Sequence, residues 1–397
     1  MLIIHNVTVC PVSAPPIPMG AVAVDAGRII AVGSVEEGGP GALSPLVAEA
    51  LRAGRAVLVD GERGFLTPGL IDAHTHLGIG EEAVGVEGSD YNERTHPVTS
   101  DLRAIDGINP EDTAIPRALH AGVTAACVAP GSANVIGGST VVIRTHGTVV
   151  DDMVLNPNAG MKAALGENPK NVYRSKDKAP ATRMAIAALF REWLAKARDY
   201  GTKQARAAEK GDFVETDLKL EALLPVVRGE IPLRAHAHRA DDIATILRIA
   251  REFSLRLVIE HCTEGHKLAG RLADAGVPAI VGPSMNGLTK VELKEKSFDT
   301  AGVLARAGVL VALTTDHSVM HIQHLPVAAA LAMKAGMTAD QALAAITLNP
   351  ARILGLGDRL GSIEPGKEGD LVLWSGHPLD VQSRVARVWI SGRVVVE

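Results

Sequence analysis

The chain has 397 residues, of which 47% are hydrophobic and 21% are charged. This composition excludes an intrinsically disordered protein, and the length fits one large domain with one smaller companion. The formal net charge is -5, from 40 basic and 45 acidic residues. Because the sequence has no long run of like charges, we expect a small-molecule substrate and no nucleic-acid partner.

The N-terminus lacks the basic and apolar segments of a signal peptide, and no apolar stretch approaches the roughly 18 residues of a membrane span. We therefore expect no membrane partner. The three cysteines, Cys10, Cys127 and Cys262, form no close pair, which predicts neither a disulfide framework nor a Cys-rich zinc site. These features predict a cytoplasmic protein, and a homo-oligomer is compatible with them.

Both ends of the chain have the composition of β structure. Short branched-apolar runs alternate there with Pro, Gly and Asp, which is typical of strands joined by turns. The predicted strands are Leu2–Val9, 21–24, 28–32, 370–374 and 385–396, with a short helix near 45–53. We predict that the two ends pair into one small β-sandwich, formed by residues 1–64 and 349–397.

Residues 65–348 have a different pattern, in which apolar strand-like runs alternate with Ala-, Leu- and Arg-rich helical periods. This alternation predicts repeated βα units around a parallel sheet, and active sites of such barrels lie at the C-terminal strand ends. The candidate strands are 70–74, Val123–Val128, 160–165, 233–236, 257–259, Ala279–Val281 and 309–313.

The strongest local motif is the segment Pro-Gly-Leu-Ile-Asp-Ala-His-Thr-His at residues 68–76. Side chains alternate along a strand with period two, so His74 and His76 point to the same face. Two imidazoles on one face at a strand end favour a metal site over structural histidines.

Further metal-ligating side chains follow three later strands: His236 and His238, then His261, and finally Asp316. Nitrogen and oxygen ligands of this kind suit zinc, with manganese or iron as alternatives. His236 and His238 repeat the alternating pattern of the first pair. The sequence therefore predicts a centre of one or two divalent metals.

Two metals would require a bridging anion, and the segment 160–169 offers two candidates. Glu167 lies just past the predicted strand and is negative as it stands. Lys162 lies inside the strand and would first have to react with carbon dioxide to form a carbamate. This difference favours Glu167 and leaves Lys162 as the alternative.

The histidine motif, the later ligand positions and the segment 349–373 resemble the amidohydrolase superfamily, and most of all its imidazolonepropionase-like hydrolases. The resemblance runs in order along nearly the whole chain. It implies an α/β fold, a (β/α)₈ TIM barrel with a β-sandwich made from both chain ends. The ligands that it implies are His74, His76, His236, His261 and Asp316, and relatives with a glutamate bridge support Glu167.

The expected reaction is hydrolysis of a carbon–nitrogen bond in an amide or cyclic amide, including the case of a dipeptidase. A divalent metal lowers the pKa of bound water to roughly 7 and so supplies hydroxide, while Asp316 acts as general base and acid. The alternatives are a mononuclear deaminase and a non-catalytic assembly protein of the same architecture. Candidate substrate-binding residues are His238, Arg94 and Arg144.

Overall fold

The computed structural model describes residues 1–397. The strands are β1 (Leu2–Val9), β2 (Ile17–Asp25), β3 (Arg28–Ser34), β4 (Val57–Asp60), β5 (Phe65–Pro68), β6 (Leu70–Thr75), β7 (Val123–Val128), β8 (Ile136–Ser139), β9 (Val141–Arg144), β10 (Val154–Asn156), β11 (Met161–Ala164), β12 (Leu233–Ala237), β13 (Leu257–His261), β14 (Ala279–Val281), β15 (Val311–Leu313), β16 (Leu371–Trp374), β17 (Val385–Ile390) and β18 (Arg393–Val396). The α-helices are α1 (Pro45–Arg52), α2 (Ala114–His120), α3 (Val150–Met153), α4 (Glu167–Arg174), α5 (Arg183–Lys210), α6 (Leu218–Val227), α7 (Ala240–Phe253), α8 (Ala269–Asp274), α9 (Asp299–Arg306), α10 (Leu325–Lys334), α11 (Ala339–Ala344) and α12 (Leu348–Ile353).

Both chain ends contribute to one eight-stranded sheet. Its order is β18-β17-β16-β5-β1-β2-β3, and β4 pairs with β1. The N- and C-terminal parts meet where β16 runs antiparallel to β5. An apolar cluster of 11 buried residues includes members from both ends, such as Ile4, Leu66 and Trp389. The pairing of the ends therefore follows the prediction, whereas the sandwich geometry and the domain boundaries stay predictions.

The middle of the chain forms two further sheets. In the first, β6 and β7 run parallel. In the second, β11 to β15 form five successive parallel strands. The strands β8 and β9 add antiparallel partners to β11 and β7. An apolar cluster of 61 buried residues packs around these strands and their helices. Because neighbouring strands of the βα pattern run parallel, their carboxyl ends lie at the same edge of each sheet.

The first and last parallel strands are joined by side chains rather than by a ladder of backbone hydrogen bonds. The buried carboxylate of Asp72 on β6 accepts hydrogen bonds from the Thr314 hydroxyl at 2.7 Å and from the Thr315 hydroxyl at 2.6 Å. The Thr315 amide donates a third at 3.0 Å. Burial raises the pKa of Asp72, and these three bonds hold the segment that leads into Asp316 against β6.

The junction between the terminal sheet and β6 requires a glycine. The Gly69 amide donates to the Asp370 carbonyl at 2.9 Å. A Cβ at position 69 would lie 2.0 Å from the Thr124 hydroxyl oxygen. The terminal sheet is thus packed directly against the start of the strand that carries His74. None of the helices is both long enough and apolar enough to cross a membrane.

Candidate metal centre

Five histidines and one aspartate converge at the carboxyl ends of the parallel strands. His74 and His76 come from the end of β6, His236 and His238 from the end of β12, and His261 closes β13. Asp316 follows β15. The ligand atoms of His236, His238 and His261 lie within 4.8 Å of one another, as do those of His74, His261 and Asp316. His261 therefore joins two groups of ligands.

Hydrogen bonds to Nδ1 orient four of these rings. His76 donates to the Ala129 carbonyl at 2.7 Å, and His261 donates to the Gly282 carbonyl at 2.8 Å. A carbonyl only accepts, so the Nε2 atoms of these two rings carry lone pairs. The Nδ1 atoms of His236 and His238 lie 2.8 Å from the hydroxyls of Ser132 and Thr263.

The Nε2 atoms of His236, His238 and His261 are buried and have no hydrogen-bond partner. Burial, reinforced by the neighbouring imidazoles, holds the pKa of His236 and of His238 well below the usual range. Burial also lowers the pKa of His261 to about 3. These rings are therefore neutral at neutral pH, which is the form that binds a metal.

Asp316 supplies the negative charge of the cluster. Its Oδ1 lies 3.3 Å from His74 Nε2 and 3.4 Å from His76 Nε2. Although burial opposes ionisation, the imidazoles of His261, His74 and His76 hold the pKa of Asp316 well below its usual range. The backbone of Asp316 is left-handed, with φ of 52°. Such a conformation is uncommon outside glycine and is typical of functional sites.

A left-handed residue also changes which way the side chains of β13 point. Period-two alternation would place Glu260 and His261 on opposite faces of the strand. Instead, Glu260 Oε1 lies 3.2 Å from His74 Nδ1, and the His74 and His261 rings are 5.1 Å apart. His261 has φ of 68°, and this departure from extended geometry turns its ring toward the interior beside Glu260.

Beneath His74 lies a fully buried group of charges formed by Lys162, Arg234 and Glu260. Lys162 Nζ donates to Glu260 Oε2 at 2.5 Å, and Arg234 Nε donates to Glu260 Oε1 at 2.9 Å. Despite its burial, Glu260 keeps a pKa well below the usual range because of His74, Lys162 and Arg234. Lys162 Nζ also lies 3.4 Å from His74 Nε2.

A buried carboxylate that the sequence analysis did not identify lies on the other side of the cluster. Glu292, in the turn Val291–Leu293 after β14, is 1% exposed. Its Oε1 lies 3.7 Å from His238 Nε2 and 3.9 Å from His236 Nε2. Burial raises its pKa. Flanked by lysines at 290 and 294, Glu292 resembles an exposed charged turn in the sequence, so no local signal predicts its burial.

Glu167 and the arginines occupy different positions from the cluster. Glu167 begins α4, is half-buried and lines a surface pocket with Arg94 and Lys290. It joins neither of the two histidine groups, so the geometry does not place the predicted bridge among the ligands. Ser132 lines the same pocket and contacts His236, so Arg94 shares a pocket with a residue that contacts the cluster.

Arg144 corrects the prediction of a substrate contact. It ends β9 and pairs with Ala125 near the amino end of β7, which is the end away from the histidines. Its guanidinium contacts Glu368 at 2.5 Å and Asp370 at 3.2 Å. Arg144 therefore ties the middle of the chain to the C-terminal segment, at the end of the strands away from the histidines.

The donor set fits a divalent metal ion. Three buried imidazole nitrogens without partners and a buried carboxylate are the ligands that zinc prefers, and isolated buried polar atoms of this kind each cost about 1–3 kcal/mol. The hydroxyls and carbonyls behind the rings provide the outer contacts usual for metal-binding histidines.

Comparisons with known proteins identify the family that this chain resembles. The model of the amidohydrolase family matches residues 65–395. An amidohydrolase, tasK, of Hapsidospora irregularis is 31% identical over 363 residues, which cover 85% of this chain and 37% of the relative. The chain thus spans little more than a third of that protein. An imidazolonepropionase of Pseudomonas putida is 27% identical over 370 residues, covering 88% of this chain and 87% of the relative.

Among solved structures, an amidohydrolase from Thermotoga maritima MSB8 superposes with a TM-score of 0.94. The two proteins are 45% identical, and the match covers 100% of each chain. Similarity of this extent implies a TIM barrel with an additional domain, which is the coarse architecture that the sequence pattern predicted.

Proposed function

The chain belongs to the amidohydrolase family, and we propose that it is a metal-dependent hydrolase that cleaves a carbon–nitrogen bond in an amide or cyclic amide. The observation that carries the proposal is the cluster of three buried imidazole nitrogens without hydrogen-bond partners, those of His236, His238 and His261. His261 is also grouped with His74 and the carboxylate of Asp316. A structural core would satisfy these atoms with hydrogen bonds. Their lack of partners supports a bound cation.

The residues that would hold a divalent cation are His74, His76, His236, His261 and Asp316. When bound there, the cation would acidify a water molecule and polarise the carbonyl of the substrate. Asp316 would accept the proton of the attacking water and deliver it to the leaving nitrogen. Its depressed pKa supports the first of these roles, because the carboxylate is ionised before the reaction begins.

The remaining residues would position the ligands. Asp72 would hold the segment of Asp316 against β6 through its bonds to Thr314 and Thr315. Glu260 would orient His74 through Nδ1 while its charge is balanced by Lys162 and Arg234. Lys162 Nζ would stay engaged with Glu260, which it contacts directly. We therefore assign the metal-bridging role to neither Lys162 nor Glu167.

The pocket beside the cluster supports a substrate that carries an acidic group. Arg94 and Lys290 both line it, together with Ser132. Two basic side chains in this pocket would attract a carboxylate, such as the propionate side chain of the compound after which imidazolonepropionase is named. His238 faces the same cluster and would contact either substrate or metal. The named relatives give no support to the hypothesis of a dipeptidase.

The test is metal stoichiometry together with hydrolysis of a substrate panel. The protein should hold close to one or two equivalents of zinc, manganese or iron. Removal with a chelator should abolish hydrolysis of cyclic amides and N-acyl amino acids, and re-addition should restore it. His76→Asn should lose metal, whereas His120→Asn, an exposed histidine on α2, should not. Full activity without metal above background would refute the proposal.

A further inference from the structure

We propose that Glu82, His317 and His321 form a separate cation site outside the candidate metal centre. Glu82 lies in the loop after β6, and both histidines follow β15. Their ligand atoms lie within 4.8 Å of one another, and none of the three residues belongs to the two groups formed by the strand-end histidines. The site goes beyond the proposed function, which does not require it.

The buried His317 ring lacks the contacts of a structural histidine. The residue is 0% exposed. Its Nε2 has no hydrogen-bond partner, and its Nδ1 accepts one long bond, from the Ile322 amide at 3.3 Å. Buried polar groups in proteins are usually hydrogen-bonded. A neutral imidazole can bind a cation through either nitrogen when its proton is on the other, so binding would cost this ring one long hydrogen bond at most.

The carboxylate of Glu82 brings a negative charge next to the exposed histidine. Its side chain is 9% exposed, and Oε1 accepts a hydrogen bond from His321 Nδ1 at 2.5 Å. Oε2 contacts the guanidinium of Arg117 on α2, which leaves Oε1 for a cation. Because metal ligands bind in their deprotonated form, a metal ion can take the place of the proton that a carboxylate and an imidazole share.

The exposed ring of His321 can supply the movement that a cation requires. Ligand atoms about 2.1 Å from a tetrahedral zinc ion lie about 3.4 Å from one another. The bonded atoms of Glu82 and His321 would therefore have to separate by about 1 Å. The side chain of His321 is 54% exposed, so its ring can move outward by this amount without disturbing the core.

A cation bound here would have chemical and structural consequences. Two imidazoles and one carboxylate leave the fourth position of a zinc ion open to water, so the site should bind more weakly than a closed set of four protein ligands. The ion would link the loop that follows His76 to the segment that follows Asp316. It should therefore raise the melting temperature of the protein.

The experiment titrates zinc into dialysed protein, which retains only tightly held metal. Calorimetry should detect one further equivalent in the wild type. Glu82→Gln and His321→Asn should each weaken its binding at least tenfold, and both should leave the metal content after dialysis unchanged. The control is His146→Asn, which changes an exposed histidine after β9 and should bind zinc like the wild type.

Arg117→Gln separates cation binding from the ion pair that Glu82 already makes. This variant keeps all three ligands and removes the competing positive charge, so zinc should bind at least as tightly as in the wild type. If Glu82 served only to hold Arg117, the further equivalent would be absent from every variant and from the wild type. Either that result or loss of the equivalent in Arg117→Gln would overturn the inference.

Anomalous scattering from crystals soaked in zinc identifies the ligands directly. A peak between Glu82, His317 and His321 is expected. A peak held only by His321 and His324, whose rings are 6.2 Å apart, would overturn the inference as adventitious surface binding. A protein without tightly held metal would instead refute the proposed function, because the further equivalent does not depend on the candidate metal centre.

Discussion

The buried charges beneath His74 lead to a quantitative prediction about stability. Glu260 is the only negative charge shared by Lys162 and Arg234, and all three side chains are fully buried. Replacing Glu260 by Gln keeps the shape of the side chain but leaves two cations without a counter-charge. Breaking a buried ion pair in this way costs about 3–5 kcal/mol of the free energy of unfolding.

Lys162→Gln should cost much less, because Glu260 and Arg234 would remain as a neutral pair. The order of the two variants follows from the charge count alone. A cost of about 3–5 kcal/mol corresponds to a fall of roughly 1–1.7 M in the urea midpoint for an m value of about 3 kcal/mol/M. The unfolding of metal-free protein should be followed by circular dichroism, so that loss of metal does not contribute.

The control is Glu252→Gln, which removes an ion pair with Arg191 in which both partners are more than a third exposed. Exposed pairs stabilise little, so its midpoint should stay close to that of the wild type. If Glu260→Gln shifted the midpoint no more than this control, the account of the buried charges would be refuted. A Lys162→Gln variant as unstable as Glu260→Gln, together with metal binding by the wild type that depends on carbon dioxide, would point to a carbamylated lysine.

Three further predictions concern other parts of the molecule. Glu167→Gln should keep the full metal content by elemental analysis, because its side chain lies outside the histidine groups; loss of an equivalent would restore the bridge expected from the sequence. Burial raises the pKa of Tyr173 to about 12, so its contribution to stability is complete below the unfolded value of about 10. That contribution should be lost between about pH 10 and 12 in alkaline denaturation, and Tyr173→Phe should remove this part of the pH dependence. Deleting residues 370–397 should leave β5 without its partner β16 and make the protein insoluble; a truncated form with unchanged melting temperature would contradict the shared sheet.

The strands were predictable where apolar residues alternate or cluster, and less so where glycine dominates. β1, β7 and β14 coincide with the predicted segments. The strand β8 was missed, because Ile136–Ser139 contains two glycines and has the composition of a loop. Its pairing with β11 is set by tertiary contacts, which no local pattern encodes.

The candidate metal centre was predictable only for residues that lie at strand ends with the expected periodicity. His74 and His76 follow from alternation, and their shared position is found in the structure. Glu260 was not identified, because alternation assigns it to the face opposite His261. Because the backbone of His261 is left-handed, side chains do not alternate between the two faces of the strand at this point. The Glu292 carboxylate is held by a hydrogen bond from the Glu167 amide, 125 positions away in the chain. Its burial therefore cannot be inferred from its neighbours in sequence.

The contact between Asp72 and Thr315 spans 243 positions of the chain, and this separation bears on the order of events during synthesis. A nascent chain that has completed β6, with both of its histidines, still lacks the segment that carries Asp316. High-affinity metal uptake should therefore begin only after the last parallel strand has left the ribosome and reached the first. A stalled, shortened chain should then hold no tightly bound metal, so metal occupancy would distinguish finished molecules from fragments.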